Sequence, residues 1–161
     1  MSDWQPTASL EAIKARAELL RTVRAFFDDR NVLEVDTPQL ARYGVSDLHI
    51  QCIPVPGYGY LQSSPEYHMK RLLAAGSGPI YQVCKAFRDG EAGGRHNPEF
   101  TMLEWYRPGF ALDDLIQECL ALFAALFPSA QSKTYRFRGL FRDVTGLDPL
   151  TAHDSDLITP A

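Results

Sequence analysis

Two β-forming runs separated by a polar, glycine-rich stretch constrain the fold of this chain more than any other feature. Residues 80–87 and 99–106 are rich in aromatic and branched side chains, which predicts two strands. Residues 88–98 form a longer loop than most hairpins have, and such loops often close over a ligand. We therefore predict an antiparallel strand pair whose loop has a function.

Helical periodicity precedes and follows this strand pair. Apolar residues recur at steps of three or four over residues 10–29 and again over 112–127, which predicts two amphipathic helices. Ser9 is a suitable N-cap for the first of them. Because helices and strands mix without a regular βαβ rhythm, the sequence predicts the α+β class in one domain over residues 1–161.

The remaining elements are predicted to be shorter. Ser63 and Glu66 have capping-box spacing around Pro65, which predicts a helix that runs to about Ala75 and ends at Gly76. The other predictions are a strand at residues 32–35, strand and turn over 48–60, a strand at 135–137, and a helix at 140–145 capped by Gly146.

The charge and hydropathy of the chain exclude some functions. The formal net charge is −4 and no block of Lys and Arg is present, so a tRNA-binding surface is not predicted. The charge does not exclude a small anionic ligand, because two or three well-placed arginines can hold a nucleotide. No apolar run is long enough to cross a bilayer and no signal peptide is visible, so we expect a soluble, cytoplasmic protein.

The cysteines and histidines do not have the spacing of a metal site. Cys52, Cys84 and Cys119 are scattered, which favours free thiols over disulfides or zinc ligands. His68 and His96 stand near the presumed site, and neither has a second ligand at metal spacing. No protein-held transition metal is therefore predicted.

An arginine and an aromatic residue stand where the two predicted strands meet the loop. Arg88 can pair with a phosphate or a carboxylate through two parallel hydrogen bonds, and Phe100 can offer a flat face to a nucleobase. A solvated hairpin with a surface arginine explains the same residues equally well. Residue chemistry alone leaves both interpretations open.

The sequence from Phe87 to Tyr106 resembles motif 2 of the class II aminoacyl-tRNA synthetases, and residues 96–104 (HNPEFTMLE) are similar to the lysyl branch. The resemblance implies ATP binding, with Arg88 as the catalytic residue that holds the α-phosphate and the amino-acid carboxylate. It implies that Phe100 stacks on adenine and that Asn97 contacts the adenosine. The implied ATP-binding residues are Arg88, Asp89, Gly90, Glu91, Asn97 and Phe100.

One position departs from the lysyl pattern. The lysyl enzymes usually carry a glutamate two residues after the motif 2 arginine, where this chain has Gly90, and Glu91 follows one place later. Either Glu91 substitutes for that glutamate in contacting adenine, or a backbone group makes the contact.

Residues 32–38 (VLEVDTP) resemble motif 1, the dimer-forming element of the class. Their position upstream of motif 2 supports the resemblance, although the same apolar residues would also suit a core. The resemblance implies a homodimer through this region. It also implies a class II synthetase-like antiparallel sheet flanked by helices.

Residues 61–73 resemble the helix start S-P-E-x-x-x-K of lysyl- and aspartyl-type enzymes. The form with Tyr67-His68-Met69, together with residues 104–108 (EWYRP), is similar to the elongation factor P lysine ligases. The carboxylate of Glu66 suits a lysine ammonium, but it would also suit the charge preference of a helix N-terminus. The implied amino-acid pocket consists of Ser64, Pro65, Glu66 and Tyr106.

The resemblance implies a ligase reaction in two steps. The carboxylate of lysine or β-lysine attacks the ATP α-phosphate to give an aminoacyl-adenylate, while Arg88 and Mg²⁺ neutralise charge. The acyl group then passes to a lysine of elongation factor P, and tRNA is not the expected acceptor. A lysyl-tRNA synthetase paralogue is one alternative, and a non-catalytic dimerisation or binding remnant is another.

The matched motifs belong to the N-terminal half of the family's catalytic domain. Motif 3 and the acidic residues that hold Mg²⁺ are not found in the sequence, so the sheet is expected to be incomplete at the C-terminus. We therefore expect a truncated chain, a gene fragment or a degenerate paralogue, with weak adenylation activity or none when alone.

Overall fold

The computed structural model describes residues 4–90, 93–94 and 96–158, in two compact units, one ending at Pro128 and the other beginning at Ser129. None of the helices in these ranges is long and apolar enough to span a membrane. The helices are α1 (Leu10–Asp28), α2 (Glu66–Ala74), α3 (Leu112–Leu126), α4 (Phe137–Thr145) and α5 (Asp154–Ile158). The strands are β1 (Leu33–Glu34), β2 (Leu40–Ala41), β3 (Pro54–Val55), β4 (Gly59–Leu61), β5 (Ile80–Phe87) and β6 (Glu99–Tyr106).

The predicted strand pair forms most of the main sheet. β5 and β6 run antiparallel over their whole length, from Ile80 opposite Tyr106 to Phe87 opposite Glu99. β1 joins the other edge of β5 in parallel, which gives the strand order β1-β5-β6. The expected α+β class, with an antiparallel sheet beside helices, is confirmed.

Helices α1 and α3 cover one face of this sheet, and both were predicted. Phe27 of α1 is fully buried, and its ring stacks on Tyr81 of β5 with 4.4 Å between the ring centroids. The ring of Trp105 on β6 lies 5.6 Å from the same phenylalanine. Aromatic pairs of this kind stabilise the core beyond the area that they bury. The predicted cap is also confirmed, because the Ser9 hydroxyl accepts the Ala12 N–H at 3.1 Å.

The region predicted as strand and turn contains β3 and the start of β4, in a second sheet of order β2-β4-β3. Gly59 has a φ of 139°, and a Cβ on it would lie 2.2 Å from the carbonyl oxygen of Ala41. Any side chain larger than hydrogen would push β2 and β4 apart. The close approach of these strands therefore explains the glycine.

The second unit contains α4 and α5. As predicted, the first of these helices ends at Gly146, which has the left-handed φ of 73° that glycine adopts without strain. Arg138 donates to both carboxylate oxygens of Asp148, with a shortest distance of 2.5 Å. This pair joins α4 to the turn that follows it.

The strand predicted at residues 135–137 is wrong. Helix α4 begins at Phe137, and residues 131–136 form no regular element. Arg136 is extended, with φ −80° and ψ 129°, but it serves as the N-cap position of the helix. Extended backbone becomes a strand only when a neighbour accepts its hydrogen bonds, and no described strand pairs with this segment.

The three cysteines are free thiols, as predicted. Cys84 is buried in the sheet, whereas Cys52 and Cys119 are partly exposed. Burial, assisted by the charge of Glu104, raises the pKa of the Cys84 thiol to about 11. This thiol therefore stays protonated and poorly nucleophilic at neutral pH.

A buried carboxylate joins α3 to the end of β6. Glu118 is 7% exposed, and its Oε2 accepts the indole N–H of Trp105 at 3.1 Å. Its Oε1 lies 3.3 Å from Nε of Arg107, and these two side chains are only 5% and 12% exposed. Each buried charge therefore depends on the other for its stabilisation.

Replacing Glu118 by alanine should lower the free energy of unfolding by about 3–5 kcal/mol, because the buried charge of Arg107 would lose its carboxylate partner. Urea unfolding followed by circular dichroism measures the change. Glu18 offers a matched control, since it pairs with Arg21 but both side chains are highly exposed, at 66% and 67%. The Glu18→Ala variant should lose less than about 1 kcal/mol. Equal losses in the two variants would contradict the argument from burial.

Candidate active site

Alternation along the strands separates the main sheet into two faces. Tyr81 and Trp105 point toward α1 and α3, so their neighbours along each strand point to the opposite face. On β6, this opposite face carries Phe100, Glu104 and Tyr106. The residue predicted to stack on adenine and a residue predicted to contact lysine thus share one face.

The segment that leads into α2 is hydrogen-bonded to the end of β5. The carbonyl of Gln62 accepts the Phe87 N–H at 2.9 Å, and the Gln62 side-chain amide donates to the Lys85 carbonyl at 2.8 Å. Gln62 and Ser63 are buried, at 6% and 1% exposed. These bonds fix Ser63 and Ser64 next to the sheet.

The predicted catalytic arginine lies beside this segment. The backbone N–H of Arg88 donates to the Pro98 carbonyl at 2.9 Å, which closes the base of the loop. Its Nε donates to the Ser63 carbonyl at 3.3 Å. Its guanidinium carbon lies 5.1 Å from the centroid of the Phe100 ring. The structure therefore brings together Arg88 and Phe100, the two residues predicted to hold the phosphate and the base of ATP.

Glu104 organises the other end of the same face, although the site residues inferred from the sequence do not include it. One carboxylate oxygen accepts the Ser64 hydroxyl at 2.8 Å, and the other accepts the Tyr106 hydroxyl at 2.6 Å. Residues two apart in a strand share a face, so the spacing of Glu104 and Tyr106 could have indicated this contact. Glu104 thus joins two of the predicted pocket residues.

The environment of Tyr106 keeps its hydroxyl protonated. Burial, followed by the hydrogen bond and the charge of Glu104, raises the pKa of Tyr106 well above its ordinary value. The charge of Glu66 acts in the same direction. Tyr106 therefore acts as a hydrogen-bond donor to Glu104 at neutral pH.

Glu66 begins α2, and its surroundings correct the predicted helix cap. The Ser63 side chain is buried and does not cap the helix, since the Ser64 hydroxyl accepts the Glu66 N–H at 3.1 Å instead. Buried Pro65 occupies the N-cap position, so Ser63 lies two residues too far upstream. The Glu66 carboxylate forms an ion pair with Lys70 one turn later, and that hydrogen bond raises the pKa of Lys70. Glu66 therefore has a partner within its own helix.

The remaining residues predicted to bind ATP belong to the loop after β5. The Asp89 N–H donates to the Gln51 carbonyl at 2.8 Å, and the Asp89 carboxylate accepts the Gly90 N–H at 2.9 Å. Gly90 has a φ of 73°, where a glutamate would be strained. Asn97 is exposed near the end of the loop. Glu91 lies outside the described residues, so its suggested contact with adenine stays a prediction.

Comparison with known proteins places the chain among the synthetases. Residues 2–154 match the family model described as tRNA synthetases class II (D, K and N). The chain is 46% identical to the elongation factor P–(R)-β-lysine ligase of Pasteurella multocida, over 99% of this chain and 52% of that protein. The proteins of the same name from Haemophilus influenzae (strain PittGG) and Pseudoalteromonas translucida are 48% and 51% identical, over 100% and 92% of this chain and 53% and 49% of their own lengths. The chain thus spans about half the length of the curated relatives that it matches.

The raised pKa of Tyr106 predicts a loss of stability in alkaline solution. Above pH of about 10 the unfolded phenol releases its proton while the folded one keeps it, so the free energy of unfolding falls as pH rises. The slope contributed by one such tyrosine is at most about 1.4 kcal/mol per pH unit. Tyr106→Phe should therefore flatten the decline that urea unfolding measures between about pH 9.5 and 11.5.

Part of the decline should persist in the Tyr106→Phe variant. Burial and the hydrogen bond to Glu34 raise the pKa of Tyr81 to about 12, so this second tyrosine contributes in the same direction. An alkaline decline identical in wild type and variant would show that the folded protein does not hold the Tyr106 proton more tightly than the unfolded chain.

Proposed function

The chain belongs to the class II tRNA synthetases of the D, K and N type, and we propose that it forms the ATP- and lysine-binding part of a ligase that modifies elongation factor P. One observation carries the proposal. The Ser63 carbonyl accepts from Arg88 and the Ser64 hydroxyl donates to Glu104, so one short segment holds both halves of the candidate site. A nucleotide at Arg88 and an amino acid at Glu104 would lie on the same face of the sheet.

Arg88 is proposed to bind the α-phosphate of ATP. A guanidinium can form two parallel hydrogen bonds to phosphate or carboxylate oxygens, which orients them as well as attracting them. The Phe100 ring beside it would receive the adenine, since aromatic rings stack on nucleobases. The contacts of the loop residues with ATP are proposed from the family resemblance, and these residues are Asp89, Gly90, Glu91 and Asn97.

The opposite end of the face is proposed to recognise lysine or β-lysine. Both amino acids carry two ammonium groups, and Glu66 and Glu104 supply two carboxylates, while Tyr106 orients the second of these. Lys70 is paired with Glu66, but these side chains are 56% and 40% exposed. Exposed ion pairs contribute little to stability, so a substrate ammonium can replace Lys70 at Glu66 with little loss.

The proposed first step joins the amino-acid carboxylate to ATP. A carboxylate oxygen attacks the α-phosphorus, the bond from that phosphorus to the bridging oxygen breaks, and pyrophosphate leaves. No general base is needed because the attacking group is already ionised. Arg88 would act by positioning the two reactants and by stabilising the charge that develops at the α-phosphate.

The second step would transfer the acyl group from AMP to an amine. A lysine amine of elongation factor P attacks the acyl carbon of the adenylate and loses a proton, and AMP leaves with the bonding electrons. The product is an amide between the transferred amino acid and the lysine of elongation factor P.

Mg²⁺ is proposed to accompany ATP. Across residues 4–90, 93–94 and 96–158, no group of three or more His, Cys, Asp and Glu side chains is placed to hold a metal ion. Magnesium usually binds through substrate phosphates and one or two carboxylates. The described side chains thus form no dedicated magnesium site, and neither of the two proposed steps is derived from a bound metal.

A lysyl-tRNA synthetase paralogue is the second candidate, because the matched family model includes the lysine (K) type. The protein ligase is preferred, since the relatives carry its name and a net charge of −4 does not favour a tRNA-binding surface.

A homodimer is proposed through residues 32–38, where Leu33 is 57% exposed at the edge of the sheet. A partner in translation would place the protein in the cytoplasm.

Calorimetric titration of the chain with Mg-ATP tests the proposed nucleotide site. The wild-type chain should bind, and Arg88→Ala should weaken binding by about tenfold or more, because a hydrogen bond to a charged group contributes about 1.5–3 kcal/mol. Arg21→Ala is the matched control, since Arg21 lies on α1 and pairs with Glu18. That control should bind as the wild type does.

Two outcomes would overturn the proposal for this chain. One is the absence of Mg-ATP binding in the wild-type protein, and the other is an equal affinity in the Arg88 and Arg21 variants. If ATP binds, single-turnover assays with lysine and β-lysine distinguish the acceptors: transfer to elongation factor P supports the ligase, and transfer to tRNA supports the synthetase paralogue.

A further inference from the structure

A cavity of about 550 Å³ lies between α2 and the second sheet. This volume is within the range of small-molecule sites, about 300–1,000 Å³. The cavity shares Ser64 with the candidate site, but Arg88, Phe100 and Glu104 do not line it. Its apolar wall consists of Pro38, Leu40, Ala41, Val45 and Leu61.

The charged groups of the cavity have one sign. Arg42 and Arg71 line it, as does the imidazole of His68, whereas its described walls contain no Asp or Glu. Arg71 is exposed and has no carboxylate partner among the described residues. The lysine pocket carries carboxylates instead, so the cavity has the opposite electrostatic preference. A cationic ligand is disfavoured there, and an anion is favoured.

Two residues that line the cavity, Gln62 and Ser63, also carry buried polar atoms. The Ser63 hydroxyl and Oε1 of Gln62 have no hydrogen-bond partner among the described residues, and both atoms are shielded from solvent. The polar contacts open to a ligand are therefore those of Arg42, His68 and Arg71.

We propose that this cavity binds a small organic anion, a carboxylate attached to an apolar body. The carboxylate pairs with Arg71 and accepts a hydrogen bond from His68, which lie one turn apart on α2. The apolar body lies against Leu40, Val45 and Leu61. Free phosphate fits less well, because it is strongly hydrated and gains nothing from the apolar wall. The proposal does not depend on the ligase function.

Calorimetry with matched probes tests the proposed site. The probes are 4-phenylbutyrate, 4-phenylbutylamine, which has a similar shape and the opposite charge, and inorganic phosphate. The wild-type chain should bind the carboxylate at least about tenfold more tightly than the amine or phosphate. Arg71→Met keeps much of the side-chain length but loses the charge, and it should weaken carboxylate binding by about tenfold.

A matched variant outside the cavity serves as the control. Arg21→Met makes the same change on α1 and should bind the carboxylate as the wild type does. Weakened carboxylate binding in Arg21→Met equal to that in Arg71→Met would count against a specific contact at Arg71.

The proposal would be overturned by any of three results in the titrations. The first is no binding of 4-phenylbutyrate by the wild-type chain, and the second is equal affinity for the acid and the amine. The third is unchanged carboxylate affinity in the Arg71→Met variant. Phosphate that binds as tightly as the carboxylate would likewise reject the organic anion in favour of a simple phosphate site.

Discussion

The register between β5 and β6 is the constraint on which the candidate site depends. A single strand supplies both the Phe100 ring beside Arg88 and the Glu104 carboxylate beside the proposed lysine pocket. The two share a face because they lie an even number of positions apart. A slip of one residue would turn both toward the helices. The stack of Phe27 on Tyr81, with Trp105 beside it, opposes such a slip, since these rings must face α1. Packing on one face therefore maintains the geometry of the other.

The segment of residues 62–64 places a second constraint on the candidate site, because it bonds to the main sheet and its residues also line the cavity. Its backbone carbonyls receive the Phe87 N–H and the Arg88 side chain, and the Ser64 hydroxyl reaches Glu104. These contacts satisfy the polar groups that face the sheet. The Ser63 hydroxyl has no such partner among the described residues, and Ser63 and Ser64 are also among the residues that line the cavity. One short segment thus separates an acidic region from a basic one.

Elements with strong local signals were predictable from sequence, and those set by distant partners were not. Local sequence patterns mark the boundaries of the two long periodic helices and of the two β-rich runs. The structure reproduces these boundaries closely. The strand predicted at 135–137 was locally plausible, but no described strand pairs with it. The Ser63 cap failed because the helix begins at Glu66, whose N–H bonds to Ser64 instead. The spacing of Glu104 and Tyr106 could have indicated their contact, but the contact of Glu104 with Ser64 could not be predicted, because these residues lie 40 positions apart in the sequence. A carboxylate in a strand gives no local indication of such a partner.

The pairing of Glu66 with Lys70 is consistent with the proposed recognition of a diamine. The backbone N–H of Glu66 and the carboxylate of Glu104 both bond to the Ser64 hydroxyl, and the charges of both glutamates act on Lys70. Without a counter-ion these two negative charges would repel each other. Lys70 supplies one positive charge, and its pKa is raised chiefly by Glu66 and to a smaller extent by Glu104. Glu66, Glu104 and Lys70 together then carry one net negative charge, which attracts a cation before any substrate contact forms. A diamine brings two positive charges, so it can satisfy Glu104 and also replace Lys70 at Glu66. A monoamine cannot do both, and this difference gives a physical basis for the proposed preference for a diamino acid over amino acids with a single amino group.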